Sequence, residues 1–366
     1  MKLDDFDYHL PAERIAQEPA ERRDSSRLLM LDRNSGATRL GTFTDVVDCL
    51  RPGDLLVLNN ARVYPARVRT RRSGGGDAEV LFLEPLDRSP TSSRQPTAVN
   101  TWEALVRPAK WARKQETIPL DSIALNNDAE LVIVEEIGDG RFEVQVRAAG
   151  AILDADAVVS LCERIGEMPL PPYIKRSGSD TRSVGDAERY QTIFAEKACA
   201  AAAPTAGLHF TEDLFKSLDA AGVTRLEITH QVGLGTFLPL RDEDVERHTL
   251  HSEWSLISHD VGTKILGARA EGKRVVAVGT TTVRALESFA LAEASLPYHA
   301  RTELFIQPDF EFKLVDAMVT NFHLPRSSLL FLVSAFAGRE NILRAYETAI
   351  ANEFRFYSYG DAMFIG

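Results

Sequence analysis

Arg274-Val-Val-Ala-Val278-Gly279-Thr280-Thr281-Thr282-Val-Arg284-Ala-Leu-Glu287-Ser runs from a short apolar strand, through a single glycine, into a helix spanning 281–292. A buried strand that turns directly into a helix implies a layered sheet with helices packed on it. The same grammar recurs on both sides. Leu50-Arg-Pro-Gly-Asp-Leu-Leu-Val-Leu-Asn-Asn reads as a turn and then a buried strand. The spacing predicts helices over 154–165, 211–221, 326–336 and 340–351, and strands over 223–229 and 314–320. Thr211 is placed as an N-cap, Glu212-Asp213 favours a first turn, and Gly222 stops that helix.

Between about 62 and 150 the texture changes. Short β patterns follow one another at 63–69, 78–83, 102–106, 131–135 and 142–146, with clean alternation in Arg141-Phe-Glu-Val-Gln-Val-Arg. Turn signals at Ser73-Gly-Gly-Gly-Asp and Asp139-Gly separate them, which suggests a small barrel or sandwich. The polar stretch Asp87–Thr101 reads as a loop. The parse is therefore an α/β fold: a discontinuous mixed-sheet domain, 1–61 plus 151–366, carrying an inserted all-β, barrel-like domain at 62–150. No internal repeat is present.

With 366 residues, 44% hydrophobic and 26% charged, the chain has the make-up of a globular protein of about two domains. No apolar run approaches the ~20 residues that span a bilayer, and Met1-Lys-Leu-Asp-Asp-Phe-Asp-Tyr carries no signal pattern. Three scattered cysteines, Cys49, Cys162 and Cys199, make no disulfide framework or cysteine zinc site and fit a reducing cytoplasm. On balance alone, the net charge of −11 argues against a nucleic-acid partner. It conceals a local cluster: Arg62, Arg67, Arg69, Arg71 and Arg72 lie within eleven residues that hold no acid.

Five segments carry candidate chemistry. In the Gly279–Arg284 turn, glycine permits a sharp bend, and threonine hydroxyls and N–H groups face the positive end of a helix dipole, which suits a carboxylate or phosphate. The plainer alternative is a well-capped joint with an Arg284–Glu287 surface ion pair. Ala203-Pro-Thr-Ala-Gly-Leu-His209-Phe-Thr holds a histidine just before a helix N-terminus, a place that keeps the ring neutral and able to share a proton. The alternative is a histidine plugging a loop. Gln231-Val-Gly-Leu-Gly-Thr-Phe allows close backbone approach to a ligand, or is a plain turn; it lacks the third glycine of a dinucleotide fingerprint. His248-Thr-Leu-His251-Ser-Glu253-Trp lacks closed-site zinc spacing, so a role in acid–base chemistry or ligand orientation is expected ahead of a metal. Thr320-Asn321-Phe-His323-Leu-Pro ends a strand with polar groups where open α/β sheets bind ligands, or is a packed turn. There is no G-x-S-x-G elbow, P-loop or H-E-x-x-H motif.

Taken in order, these segments resemble the S-adenosylmethionine:tRNA ribosyltransferase-isomerase family of queuosine biosynthesis. The likeness runs nearly end to end through Tyr8-His-Leu-Pro, Ile15-Ala-Gln, Arg23-Asp-Ser-Ser-Arg-Leu-Leu, Pro52-Gly-Asp, Glu188-Arg-Tyr-Gln-Thr, Ala203–Thr211, His251-Ser-Glu, Gly279-Thr-Thr-Thr-Val-Arg, Thr320-Asn-Phe-His-Leu-Pro and Phe331-Leu-Val-Ser-Ala-Phe-Ala-Gly-Arg. Each is modest; together they are highly specific. Two departures stand out. Leu58-Asn-Asn-Ala-Arg-Val replaces the usual Leu-Asn-Asp-Thr-Arg-Val, and His230-Gln231-Val-Gly replaces Leu-His-Val-Gly. On a strand, a one-place move turns a side chain to the opposite face, so His230 is left out of the expected site.

The resemblance implies that S-adenosylmethionine is consumed as a substrate, with no true cofactor and no metal. Its ribosyl part passes to 7-aminomethyl-7-deazaguanine at the tRNA wobble position and rearranges to an epoxycyclopentanediol, releasing adenine and methionine. On that footing His209 and His323 are the acid–base candidates, and Glu253 or Glu287 faces the sulfonium. Thr205, Gly279, Thr280, Thr281, Thr282, Arg284, His251 and Asn321 bind the substrate, and Arg22, Arg23, Arg27, Arg62, Arg67 and Arg69 take tRNA phosphates. A cytoplasmic monomer is expected. An ordinary methyltransferase and a non-catalytic RNA-binding module are the alternatives; their products, S-adenosylhomocysteine or none, separate them.

Overall fold

The computed structural model describes residues 2–72, 75–86, 99–120, 129–176, 183–233, 240, 245, 249–293 and 295–366. The chain divides into two compact units: Met1–Arg62, Pro171–Lys197 and Ala203–Gly366 form one, and Val63–Leu170 with Ala198–Ala202 the other.

The first unit is built on a nine-stranded mixed sheet: β1 (Arg27–Leu31), β2 (Thr38–Thr42), β3 (Leu55–Asn59), β4 (Thr224–His230), β5 (Thr249–Ile257), β6 (Val275–Val278), β7 (Tyr298–Leu304), β8 (Ala317–Asn321) and β9 (Ala362–Ile365). Their spatial order is β7-β5-β4-β3-β6-β8-β9-β1-β2. The pairs β4–β3, β3–β6 and β6–β8 are parallel and make a central block. Antiparallel pairing flanks the block at β4–β5, β5–β7, β8–β9 and β1–β2.

Both faces of the block are covered. Leu56, Leu58, Val276, Val278 and Val319 pack with Phe210, Leu214 and Phe215. Their neighbours Leu55, Val57, Val275, Ala277 and Met318 pack on the other side with Val283, Leu286 and Phe331. That two-sided burial explains why these strands read as unbroken apolar runs instead of alternations.

The helices lie close to their expected places. Asp154 caps Ala155–Ile165, Thr211 caps Glu212–Ala220 and Ser327 caps Ser328–Ala337, each hydroxyl or carboxylate oxygen accepting a first-turn N–H. Gly222 ends the second of these with φ +78°, a left-handed conformation that glycine adopts without strain. The strand expected from Leu314 starts only at Ala317. The N–H groups of Lys313, Leu314 and Val315 are bound instead by the Glu287 carboxylate.

The second unit is an antiparallel, barrel-like sheet ordered Arg67–Arg71, Asp77–Pro85, Trp102–Arg107, Arg141–Ala148, Ala129–Gly138, Thr117–Pro119. Every pairing along it is antiparallel. Its two edge strands meet where the Thr70 hydroxyl donates to the Pro119 carbonyl. Val68, Val80, Phe82, Trp102, Ala104, Val106, Leu131, Phe142, Val144 and Val146 fill its interior, the buried half of each alternation. The unit also takes in the helix Ala155–Ile165. Among the described residues no helix is long and apolar enough to cross a membrane.

Candidate active site

The parallel block brings remote loop tips together at the carboxyl ends of its strands. A cleft lies there, with about 610 Å³ of empty space when the open solvent at its mouth is counted. The turn after β6 contributes Gly279, Thr280 and Thr281 to its wall, the end of β8 contributes Asn321 and His323, and the 3-10 turn Thr205–His209 contributes Thr205. Tyr173, Tyr357 and Ser358 complete that part of the wall. Gly279 has φ +91°, so the sharp bend into the helix Thr280–Ala292 needs a residue free of a Cβ. The first helical turn then leaves N–H groups without intrahelical acceptors next to the cleft.

Asn321 ties the cleft to His209. The Asn321 side-chain N–H donates to the Tyr357 carbonyl at 3.2 Å, and its oxygen accepts from the Thr205 hydroxyl at 3.0 Å. These partners fix the amide's orientation. The Asn321 nitrogen therefore also donates to His209 Nε2 at 3.2 Å. His209 Nε2 is then the acceptor, Nδ1 carries the proton, and Nδ1 donates to Ser26 Oγ at 2.7 Å. The ring packs against Phe43 at 4.9 Å. Burial, reinforced by the Arg355 and Arg23 guanidiniums, pushes the His209 pKa down to about 3. His209 is thus neutral at pH 7, and the main cause is burial, not the following helix, which begins only at Glu212.

His323 stands in the cleft wall itself, its Nε2 2.8 Å from Thr320 Oγ1. Its backbone is clamped twice: the Tyr346 hydroxyl accepts from its N–H, and the Tyr8 hydroxyl donates to its carbonyl. Burial lowers its pKa to about 3 as well.

Four of the expected site residues lie elsewhere. Glu253 and Arg284 form a buried ion pair at 2.5 Å, each with 4% of its side chain exposed. Arg284 therefore does not pair with Glu287 on the surface. Its Nε donates to the Leu304 carbonyl. The other Glu253 oxygen accepts from the Gly233 N–H at 2.8 Å, one residue beyond the cleft residue Val232. Burial raises the proton affinity of Glu253, but Arg284 and His230 outweigh it and hold the carboxyl well below its ordinary range. Glu287 is fully buried, and its two oxygens accept the three backbone N–H groups of Lys313–Val315, so its charge is committed to the chain's own loop. Thr282 turns inward and donates to the Val278 carbonyl at 2.7 Å.

His251 lies on β5. Its side chain, His248, Gly235, the acidic run Asp242, Glu243, Asp244 and Glu246, and 87–98 of the polar insert lie outside the described residues. Among the described residues, no three His, Cys, Asp or Glu side chains are grouped to hold a metal ion.

A family model described as "Queuosine biosynthesis protein" matches residues 3–365. The chain belongs to that family. It is 44% identical over 365 residues to the S-adenosylmethionine:tRNA ribosyltransferase-isomerase of Thermosipho melanesiensis, covering all of both chains. It is 46% identical over 365 residues to the protein of that name from Anaeromyxobacter sp., covering 100% of this chain and 99% of the relative. The crystal structure of an S-adenosylmethionine tRNA ribosyltransferase from Thermotoga maritima is similar at 34% identity and TM-score 0.52, over 99% of this chain and 100% of that one.

In this member of the family the arginines differ in their freedom. Arg22 pairs with Asp24 at 3.2 Å, Arg67 with Glu79 at 3.5 Å and Arg69 with Glu167 at 2.9 Å. The acid-free run of sequence is therefore not free of acids in space. Arg27 lies over the Phe354 ring at 4.0 Å and donates to the Asn352 carbonyl. Among the described residues Arg23 bonds only to carbonyls, those of Leu208 and Glu188. Arg62 is half-buried.

Sequence reasoning left out His230, which the structure places against Glu253, with Nε2 at 3.1 Å and Nδ1 2.7 Å from Ser255 Oγ. Nothing in the sequence signalled that the polar residues Glu253 and Ser255, and not their neighbours Trp254 and Leu256, form the buried row of β5 that His230 meets. Tyr173, Tyr357 and Ser358 had no signal either, because each enters the cleft from a loop.

Proposed function

We propose that the chain transfers the ribosyl moiety of S-adenosylmethionine to 7-aminomethyl-7-deazaguanine at the tRNA wobble position and isomerises it to the epoxycyclopentanediol of epoxyqueuosine, releasing adenine and methionine. The observation that carries this reading is the full-length family match joined to a cleft at the carboxyl ends of a parallel block, lined by Gly279–Thr281, Asn321 and His323.

Thr280, Thr281 and Thr205 grip ribose hydroxyls or the methionine carboxylate, using hydroxyls and first-turn N–H groups. Asn321 orients the sugar. His323, in the cleft wall, hydrogen-bonds a ring nitrogen of the departing adenine as the C1′–N9 electron pair leaves with the base. His209 accepts the Asn321 N–H and so holds that amide in the orientation the sugar meets. Glu253 holds the Gly233 segment, and Arg284 holds Glu253. The mixed-sheet unit is the catalytic domain and the barrel-like unit an inserted domain. The enzyme works in the cytoplasm as a monomer, needs no cofactor or metal, and takes RNA phosphates on its arginines.

Chromatography of the small-molecule products tests this directly. Incubation with S-adenosylmethionine and tRNA bearing the aminomethyl base yields free adenine and methionine in equal amounts. S-adenosylhomocysteine in their place, or an untouched sulfonium compound, overturns the reading.

A further inference from the structure

A second cavity lies on the Ser26 side of His209 and shares Ser358 with the cleft. Arg23 and Arg189 both line it. Arg23 donates to the carbonyls of Leu208 at 3.3 Å and Glu188 at 2.9 Å, and Arg189 to those of Ala20 and, at 3.2 Å, Glu21. Among the described residues neither guanidinium makes an ion pair with a carboxylate. The acid three residues before Arg189 is already engaged: Asp186 accepts from Arg176 at 2.7 and 3.0 Å and from the Tyr359 hydroxyl at 2.9 Å. The Arg189 Nε is buried and has no hydrogen-bond partner.

Two positive charges thus share one cavity without a direct ion pair, their repulsion only partly offset by the Glu188 carboxylate, in a chain of net charge −11. Their mutual repulsion is felt locally. After burial, Arg189 is the next cause lowering the proton affinity of Arg23, and Arg23 in turn lowers that of His209. Like charges held together at a cavity mark a place where an anion lowers the energy.

We infer that the Arg23–Arg189 cavity is a phosphodiester subsite for the RNA substrate, a reading that rests on the function proposed above. The donors come from two separate elements, the 3-10 turn Arg23–Ser25 and the helix Ser183–Arg189, with the Ser26 hydroxyl beside them. Convergence from different directions suits the spread oxygens of a phosphate better than the flat pair of a carboxylate, which one guanidinium fork would satisfy. A polynucleotide that delivers a base to the cleft brings a phosphate on either side of that base, so a neighbouring oxyanion site fixes the nucleotide's register.

Arg189→Gln and Arg189→Lys test this, with tRNA affinity measured from about 50 to 200 mM salt and KM determined for both substrates. Arg189→Gln raises the KM for tRNA roughly tenfold and flattens the salt slope by about one unit. Arg189→Lys restores the slope and most of the affinity. A rise confined to the KM for S-adenosylmethionine assigns the cavity to the methionine carboxylate and overturns the inference, as does an unchanged salt slope. The unsubstituted enzyme gives a second arm that needs no variant to fold. Inorganic phosphate, at constant ionic strength, competes with tRNA and not with S-adenosylmethionine; competition with neither overturns the inference. Release of adenine by the unsubstituted enzyme stands apart from all these outcomes, so failure of the subsite and failure of the proposed function are distinguishable.

Discussion

Asn321 shows how much chemistry one side chain organises here. Its oxygen is claimed by Thr205 and its nitrogen by Tyr357, so the same amide presents an N–H to His209 and leaves that ring one tautomer. Two buried histidines, His209 and His323, are also a liability in acid. Their pKa values of about 3 in the folded protein lie far below the ordinary value of 6.5. As pH falls past 6.5, the unfolded chain takes up a proton on each and the folded one does not. Stability present above that pH is therefore lost as pH falls toward 3. Urea unfolding should show a loss on the order of 4 kcal/mol between pH 8 and pH 5 from the pair, before the carboxylates begin to titrate. His323→Gln should remove about 2 kcal/mol of it, while His230, whose pKa burial also lowers, adds to the measured total with the same sign. Stability that stays flat over this range would refute the buried neutral assignment.

At the scale of elements, the helix Thr280–Ala292 does more than present its first turn to the cleft. Its Glu287 anchors the loop 313–315 that feeds β8, the strand ending in Asn321. Glu287→Gln replaces one acceptor oxygen by an N–H donor facing backbone donors, and leaves at least the half-buried Lys313 N–H without its acceptor. The expected cost is about 2–3 kcal/mol, seen as a lower Tm, with activity lost only in step with the folded fraction. Full loss of kcat at an unchanged Tm would instead put Glu287 at the reacting atoms.

The strand–turn–helix at 274–292 was legible because its signals are local: an apolar run, one glycine, and helix spacing. The partner of Arg284 was not, because it is chosen by the sheet. Glu253 sits 31 positions away on β5, and the pairing of β5 with β4 and β7 places it there. Likewise, the period-two argument that turns His230 to the other face says nothing of what lines that face, and Glu253 and Ser255 wait on it. The barrel-like unit was readable strand by strand. Its closure by Thr70 and Pro119 was not, since the two lie on edge strands that are far apart in sequence.

For the whole molecule, charge sets the terms of binding RNA. A protein of net charge −11 and sequence pI about 5.3 repels a polyanion at long range. Much of the apparent positive supply is also internally consumed, as Arg22, Arg67 and Arg69 face Asp24, Glu79 and Glu167. Attraction must then come from a few short-range contacts such as the Arg23–Arg189 pair. For single-stranded contacts each neutralised phosphate contributes about −0.7 to the slope of log K against log salt, so three to five contacts give a slope of roughly −2 to −4. The two length scales make a further distinction. The Debye length is about 8 Å at physiological salt and about 30 Å at 0.01 M. Lowering salt therefore strengthens the contacts and also unmasks the long-range repulsion, so the plot should flatten toward the lowest salt. A filter-binding titration with the tRNA substrate from about 10 to 300 mM chloride reads both features. A straight line steeper than about −6 would mean that a broad basic field does the binding, and no dependence on salt would remove phosphate contacts from the account altogether.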